Sequence, residues 1–222
     1  MGNPNLRPDT TWLVDLSYEH RFGNEAVIEL SGYYRWISDL QDLIPLTDTE
    51  EAPGNIGNGS RWGIFLEGSV PLDLLGMTNA KLNFFFRRRG TEAVDPVTGR
   101  KREFSINNPR NLKYSHNLNF RQDFVSTRMA WGVNANYQSD RPFFKVNELD
   151  VHDNGINLNT FIESSRWFGI KMRLNLNNVL NSTDTRNRTI FTGRRDLSPL
   201  EALRFEKSKN GREIQLTLSG SF

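Results

Sequence analysis

Residue types that could carry catalysis or hold a metal are sparse and scattered along the 222-residue chain. The three histidines, His20, His116 and His152, are far apart, and no two of them have the i,i+4 spacing of a helical zinc site. The chain contains no cysteine, which excludes thiolate metal sites and disulfides. The glycines within residues 54–63 precede no helical pattern, so they do not indicate a phosphate-binding loop. The sequence therefore predicts neither an enzyme nor a bound cofactor or metal.

Charged residues recur at alternate positions, opposite large apolar side chains. Because side chains of a strand alternate between its two faces, these charges share one face of each strand. We expect the following residues to face the lumen of a barrel: Arg61, Glu67, Arg87, Arg89, Arg121, Asp123, Lys171 and Arg173. There they would hydrogen-bond a plug domain and ordered water. A sharper hypothesis is that their positive potential steers an anionic ligand such as a ferric siderophore.

Roughly nine segments show the alternation that predicts β-strands. They are residues 11–22, 26–37, 56–70, 80–88, 112–124, 128–138, 156–164, 168–179 and 211–222. Only 36% of the chain is hydrophobic, and no apolar run approaches the ~20 residues of a membrane helix. Strands of a transmembrane barrel alternate and leave only a weak hydropathy signal, so a barrel is compatible with this composition.

Segment length and aromatic placement favour a membrane barrel over a soluble β-sandwich or binding module. Sandwich strands are usually about 5–6 residues long, whereas a tilted membrane strand needs ~9–11. Aromatic residues lie near the ends of the apolar faces, as in the girdles of membrane barrels: Trp12, Trp36, Trp62, Trp131, Tyr137 and Phe222. We predict an all-β fold, an antiparallel up-and-down transmembrane β-barrel. The sandwich remains the alternative.

Arg88 and His116 are polar residues that share the parity of the apolar faces. Arg88 lies at a strand end, from which its long side chain can reach the interface. His116 has the same parity and is expected near the outer interface, unless the register shifts there.

The connections between the segments alternate between short and long. The short ones are residues 23–25, 71–79, 125–127 and 165–167; the long ones are about 40–55, 90–111, 140–155 and 180–211. Outer-membrane barrels have short periplasmic turns and long extracellular loops, so this alternation orients every strand and places Phe222 at the periplasmic rim. We expect ligand capture in the long loops, notably residues 90–111 and 180–211.

Strand direction and strand number suggest that residues 1–222 are the C-terminal part of a larger barrel. The first segment runs downward, like the last, and about nine strands is an odd number, whereas bacterial barrels have even counts. Open strand edges in lipid leave backbone groups unsatisfied. We therefore expect this chain to form a partial barrel, with earlier strands and a plug domain absent.

Four stretches resemble segments of TonB-dependent outer-membrane receptors. They are GNPNLRPDTTWLVDLSYEHRF, NIGNGSRWGIFLEGSVPLD, MRLNLNNVLNSTDTR and the terminal GREIQLTLSGSF, and they occur in the order seen in that family. The resemblance implies a barrel of about 22 strands, an N-terminal plug and energy coupling through TonB. It also implies a cargo such as an iron–siderophore complex, haem, cobalamin or a glycan. Phe222 would then be the signal read by the barrel-assembly machinery.

These observations predict a receptor fragment for energy-coupled uptake, located in the outer membrane of a Gram-negative bacterium. The expected partners are outer-membrane lipid, the barrel-assembly machinery, a plug domain and TonB, and a siderophore-like ligand. The net charge of +2 is spread over interspersed acids and bases, so no nucleic acid is expected. The alternative is a small self-contained porin or structural barrel.

Overall fold

The computed structural model describes residues 3–23, 25–106, 113–167 and 169–220. These ranges contain fourteen β-strands and one short 3-10 helix, Asp73–Leu75. The strands are β1 (Thr10–Phe22), β2 (Ala26–Ser38), β3 (Gln41–Pro45), β4 (Glu51–Asn55), β5 (Gly59–Pro71), β6 (Ala80–Val94), β7 (Lys101–Arg102), β8 (Tyr114–Phe124), β9 (Met129–Phe144), β10 (Glu148–Trp167), β11 (Ile170–Asn177), β12 (Thr183–Phe191), β13 (Leu200–Lys209) and β14 (Glu213–Ser219). None of the described helical turns is long and apolar enough to cross a membrane.

Nine strands follow one another side by side in the order β1-β2-β5-β6-β8-β9-β10-β11-β14. Each neighbouring pair is antiparallel. These nine strands correspond in order to the nine predicted segments, and the predicted all-β antiparallel architecture is confirmed. Strands β1 and β14 lie at the two ends of this path and do not pair with each other within the described residues.

The strands extend further towards the long connections than the alternation predicted. Strand β6 continues to Val94 and β10 begins at Glu148, because backbone pairing persists where the side chains no longer alternate. The predicted start of β5 at Ile56 was wrong, because the strand begins three residues later, at Gly59. Ile56 packs instead against a small apolar cluster beside the long connections. Residues 165–167, predicted as a turn, belong to β10, where the register shifts between Ser164 and Trp167.

The long connections are largely structured. Strands β3 and β4 form a hairpin of their own, and β7 pairs with the end of β6. Residues 180–211, expected to be a loop, contain the β12–β13 hairpin, in which β12 pairs with the outer part of β10. The sequence of β12, TDTRNRTIF, is polar on both faces and so shows little apolar alternation.

Large apolar side chains are exposed along one face of the nine-strand path. Trp12 and Leu16 are each 76% exposed, and Leu216 at the other end is 63% exposed. The buried apolar cluster lies instead beside the long connections, where Ile37, Leu40 and Phe104 pack together with Ala93 and, partly buried, Ile56. A contiguous exposed apolar face marks a surface that contacts a partner or a membrane.

Candidate functional site

The strand register places all eight predicted lumen charges on one face, which we call the polar face. Directly opposed residues of antiparallel strands share a face. Phe65 opposes Arg87, and Arg87 opposes Ser115, so the assignment carries from strand to strand. The same assignment holds for Arg121 on β8, which lies directly opposite Lys81 on β6. The other charges follow the same alternation: Arg61, Glu67, Arg89, Asp123, Lys171 and Arg173.

Four arginines on β2, β5 and β6 form a group on the half of the polar face nearest the long connections. We call them the arginine group: Arg35, Arg61, Arg87 and Arg89. Arg35 lies directly opposite Arg61, and the residues opposite Arg87 and Arg89 carry no negative charge. The three strands therefore present a locally positive surface.

Each guanidinium of the arginine group lies over an aromatic ring. The carbon Cζ is 5.0 Å from the ring centre of Tyr33 for Arg35, 5.3 Å from Phe104 for Arg61, 5.9 Å from Phe85 for Arg87 and 5.3 Å from Phe65 for Arg89. Within the described residues the buried Nε atoms of Arg35 and Arg87 make no hydrogen bond. A guanidinium within about 6 Å of a ring centre is attracted to the negative face of the ring.

Arg35 was not among the predicted lumen residues. It alternates with Tyr34 and Trp36 in β2, so the same period-two argument that selected Arg61 would have found it.

Four asparagines on β8 and β9 form a closed ring of hydrogen bonds in the middle of the polar face. The Asn117 amide donates to Asn136, Asn136 donates to Asn134, and Asn119 donates back to Asn117. The remaining bond runs from Asn134 Nδ2 to Asn119 Oδ1, at 2.6 Å. Within the ring every amide donates one hydrogen bond and accepts one, so this part of the wall is polar without carrying charge.

A third group surrounds Glu163, nearest the short turns, and we call it the Glu163 cluster. Its carboxylate lies 3.1 Å from Arg121 Nη2, 3.1 Å from Lys171 Nζ and 3.6 Å from Arg173 Nη1. Arg121 also donates two hydrogen bonds to Asp123, at 3.0 and 2.7 Å. Four of the predicted lumen charges therefore come together around an acid that the sequence did not single out.

Phe161 and Glu163 position the cations of this cluster. The Phe161 ring lies between Arg173, whose Cζ is 3.8 Å from its centre, and Arg121 at 5.6 Å. The alternation of residues 156–164 places Phe161 and Glu163 on the polar face. The pairing of β10 with β11 then sets Glu163 directly opposite Arg173.

Glu67 belongs neither to the arginine group nor to the Glu163 cluster. It lies opposite Glu29 on β2 and Phe85 on β6, and with Glu19 it lines a shallow concavity of about 320 Å³. Glu29 accepts a hydrogen bond from Ser17 Oγ at 2.7 Å. The polar face is thus acidic at this corner and positive nearer the long connections.

The long connections are tied together by charges that are almost fully buried. Asp42 of β3 has no exposed surface, and its carboxylate accepts hydrogen bonds from Arg102 Nη1 at 2.8 Å, Ser105 N at 2.9 Å and Ile106 N at 2.8 Å. Removing a carboxylate from water is costly, and these donors replace the water that Asp42 loses.

The chain of charges continues from Arg102 to Asp95 and from Asp95 to Arg195. Arg102 Nε lies 3.3 Å from Asp95 Oδ1, and Arg195 Nη2 lies 2.8 Å from Asp95 Oδ2. We call Asp42, Arg102, Asp95 and Arg195 the loop network. It joins β3, the end of β6, β7 and the β12–β13 connection.

The pKa of Asp95 lies below its ordinary value. Burial alone would raise this pKa, but hydrogen bonds from the Val97 N–H and the Arg195 guanidinium, with the charges of Arg195 and Arg102, outweigh burial. The aromatic ring of Phe144, at the end of β9, is 5.2 Å from Arg102 Cζ and 5.8 Å from Arg195 Cζ. A further long connection therefore packs against the network.

The predicted girdle aromatics lie on the apolar face at two levels. Trp12 and Trp36 are directly opposed near the long connections, and Trp62, opposite Tyr34, lies one step further along the strands. Tyr137 also lies in the half towards the long connections. Trp131 is near the short turns, where its Nε1 donates to Gln122 at 3.2 Å. Phe222 lies outside the described residues.

No group of three or more His, Asp or Glu side chains in the part of the chain that the structure describes is placed to hold a metal ion. The candidate site is an extended polar wall that is positive near the long connections, uncharged in the middle and ion-paired near the short turns.

Comparison with known protein families yields a match over most of the chain. The sequence profile of the outer membrane protein beta-barrel family matches residues 1–198. No curated protein and no solved structure matches the chain.

Proposed function

Because the chain belongs to the outer membrane protein β-barrel family, we propose that its polar face is the lumen wall of a receptor for energy-coupled uptake. The family is located in the outer membrane of Gram-negative bacteria, and so is this chain. The proposed cargo is a scarce anionic ligand such as a ferric siderophore. In this proposal the protein transports its ligand without catalysing a reaction.

The arginine group carries this proposal. Arg35 and Arg87 have buried Nε atoms without a hydrogen-bond partner in the described residues, and each guanidinium lies within cation–π distance of an aromatic ring. A guanidinium recognises planar oxyanions through parallel N–H···O bonds, which suits carboxylate and catecholate groups. The positive zone lies beside the long connections, where a ligand arriving from outside the cell would first meet the wall.

The Glu163 cluster suits contact with a plug domain or with ordered water. Its cations are already paired with Glu163 and Asp123, so the cluster offers hydrogen bonds but little unbalanced charge. We propose that the plug and the coupling to TonB act at this end of the lumen.

We further propose that the nine-strand path is completed by strands of a larger barrel. Eight antiparallel steps separate β1 from β14, so both strands run in the same direction. Direct pairing of their edges would be parallel, and antiparallel closure needs an odd number of additional strands. Membrane barrels close in this way because lipid cannot satisfy an open strand edge.

A porin or structural barrel is the second candidate. The asparagine ring favours it, because its amides are hydrogen-bonded to one another within the wall and need no ligand. Such a barrel would let solutes pass by diffusion, without energy coupling.

Uptake measurements separate the two candidates. In cells producing the full receptor, with the plug domain and all its strands, uptake of ⁵⁵Fe-labelled ferric tris-catecholate should stop when a protonophore collapses the proton gradient. The Arg87→Ala substitution should lower the affinity for this ligand by about tenfold, the scale of a lost hydrogen bond to a charged group. Arg121→Ala should have a smaller effect, because Arg121 is already paired.

The control variant is Arg166→Ala, which removes an exposed positive charge at the turn-side end of β10 and should leave uptake unchanged. Uptake that persists with the protonophore would support the porin. Unchanged affinity in both Arg87→Ala and Arg121→Ala would argue against anion recognition by the wall.

A further inference from the structure

A polar patch interrupts the apolar face, on the opposite side of the wall from the proposed lumen. Arg88 is directly opposed to Tyr114, and His116 is directly opposed to Phe86 and to Tyr137. The register is continuous through these residues, so Arg88 and His116 do belong to the apolar face. Their presence there calls for a partner outside the sheet.

Arg88 is an exposed cation, and the described part of the chain places no counter-charge beside it. Its side chain makes no hydrogen bond, ion pair or ring contact with any of the described residues. Its other neighbour across the sheet is the apolar Ile64, 52% exposed. Arginine on the lipid face costs about 2–4 kcal/mol at the bilayer midplane and less towards the interface. Arg88 lies in the half of β6 towards the long connections, so it is closer to the outer interface.

Aromatic rings frame the space beside Arg88. The His116 ring centre lies 5.5 Å from that of Tyr114, 5.7 Å from Tyr137 and 6.1 Å from Phe86. The two tyrosine rings are 6.1 Å apart, and neither hydroxyl makes a hydrogen bond within the described residues. The Nδ1 atom of His116 is buried, so the imidazole packs between the rings. The patch thus offers one guanidinium and two hydroxyl donors on a rigid aromatic base.

The charges near the patch favour anion binding on one side of it. The negative charges of Asp153 and Asp140 act on Tyr137. An anion is therefore disfavoured beside Tyr137 and favoured between Arg88 and Tyr114.

We propose that Arg88 and Tyr114 bind the phosphate of a lipid headgroup in the outer leaflet, with His116 and Tyr137 holding the rings in place. The apolar face of a chain in this family meets lipid, and tyrosines at the membrane interface lie at headgroup level. A guanidinium binds phosphate through two parallel hydrogen bonds, and the tyrosine hydroxyl supplies a third donor. The site is independent of any transported ligand, because it lies on the other face of the wall.

Lipid binding to the full chain purified in neutral detergent tests this proposal. Diphosphoryl lipid A would be added in steps, and native mass spectrometry would measure the fraction of protein that binds it. Phosphatidylcholine, which has a phosphate but no net charge, would serve as the comparison lipid. Arg88→Ala should weaken lipid A binding about fivefold, the effect of one basic residue near an anionic membrane surface. Arg88→Lys should keep part of the affinity, and Tyr114→Phe should lose a smaller part by removing only the hydroxyl.

Lys81→Ala is the matched control, because Lys81 is an exposed cation of the same strand on the opposite face. It should bind lipid A as the parent does. Equal losses in Lys81→Ala and Arg88→Ala would overturn the proposal, as would an unchanged affinity in Arg88→Ala. Retained heat-modifiable migration on gels would show that each variant is folded, and Tyr114→Phe preserves the test if Arg88→Ala does not fold.

Discussion

The loop network and the Glu163 cluster are both built from carboxylates paired with basic side chains, but their surroundings differ. In the loop network the side chains of Asp42 and Arg102 are 0% and 5% exposed. In the Glu163 cluster the side chains of Arg121 and Arg173 are 39% and 38% exposed, although Glu163 itself is 9% exposed. Water can replace a lost partner in the second group and cannot do so in the first.

The two groups also differ in what holds them in place. Glu163 and Arg173 are fixed by the backbone pairing of β10 and β11, whatever their side chains do. Asp42 and Arg102 belong to separate connections, and their contact is part of what brings those connections together. Charge pairing therefore adds to a wall that backbone pairing already holds together, whereas in the long connections it helps to hold separate segments in contact.

The largest expected effect is that of Asp42→Asn. The variant keeps the shape of the side chain but leaves Arg102 buried with Asp95 as its remaining carboxylate. Breaking a buried ion pair costs about 3–5 kcal/mol, so the free energy of opening the loops should fall by about 3 kcal/mol. Hydrogen exchange followed by mass spectrometry should show faster exchange in residues 41–55 and 101–106 and little change in β8 to β11.

The control in the same region is Glu92→Gln, which breaks the exposed pair between Glu92 and Lys101. An exposed pair contributes about 0–1 kcal/mol, so exchange should hardly change. If Glu92→Gln loosened the loops as much as Asp42→Asn, burial would not be what separates the two regions.

An intermediate effect is expected for Glu163→Gln. This substitution removes the charge shared by Arg121, Lys171 and Arg173, and water partly compensates the exposed cations. The free energy of unfolding should fall by about 1–2 kcal/mol, measured by thermal unfolding in detergent. Asp123→Asn should cost less, because the Asp123 side chain is 44% exposed and contacts Arg121 alone in this cluster. The reverse order of the two variants would contradict the assigned role of Glu163.

The smallest effect is a response of the loops to acid. The pKa of Asp95 is lowered in the folded chain, so its contribution is complete above the unfolded value of about 3.9 and is lost as pH falls through the lower folded value. Hydrogen exchange of residues 95–102, corrected for its intrinsic pH dependence, should stay constant from pH 7 to about pH 5 and rise only below about pH 4. Loosening of the loops between pH 7 and pH 6 would show that another group controls them.

Period-two alternation was sufficient to assign residues to the strands and to the two faces of the sheet. It selected nine strands and placed Arg61, Arg87, Arg121 and Arg173 on one face, because the side-chain direction of a strand depends only on sequence position. The same argument extends to Arg35 and Glu163, which carry the right parity. The sequence did not show that Glu163 lies among three cations, because that depends on which strands pair and in which register.

The sequence by itself determined the two faces of the sheet and the alternation of short and long connections, since both are local properties of the chain. Only the tertiary structure decided how the long connections fold. Arg102 reaches Asp42 across 60 residues, and Arg195 reaches Asp95 across 100. No periodicity links such positions. Polar connections that look like solvated loops in the sequence become a buried network because each charge finds an opposite charge on a different connection.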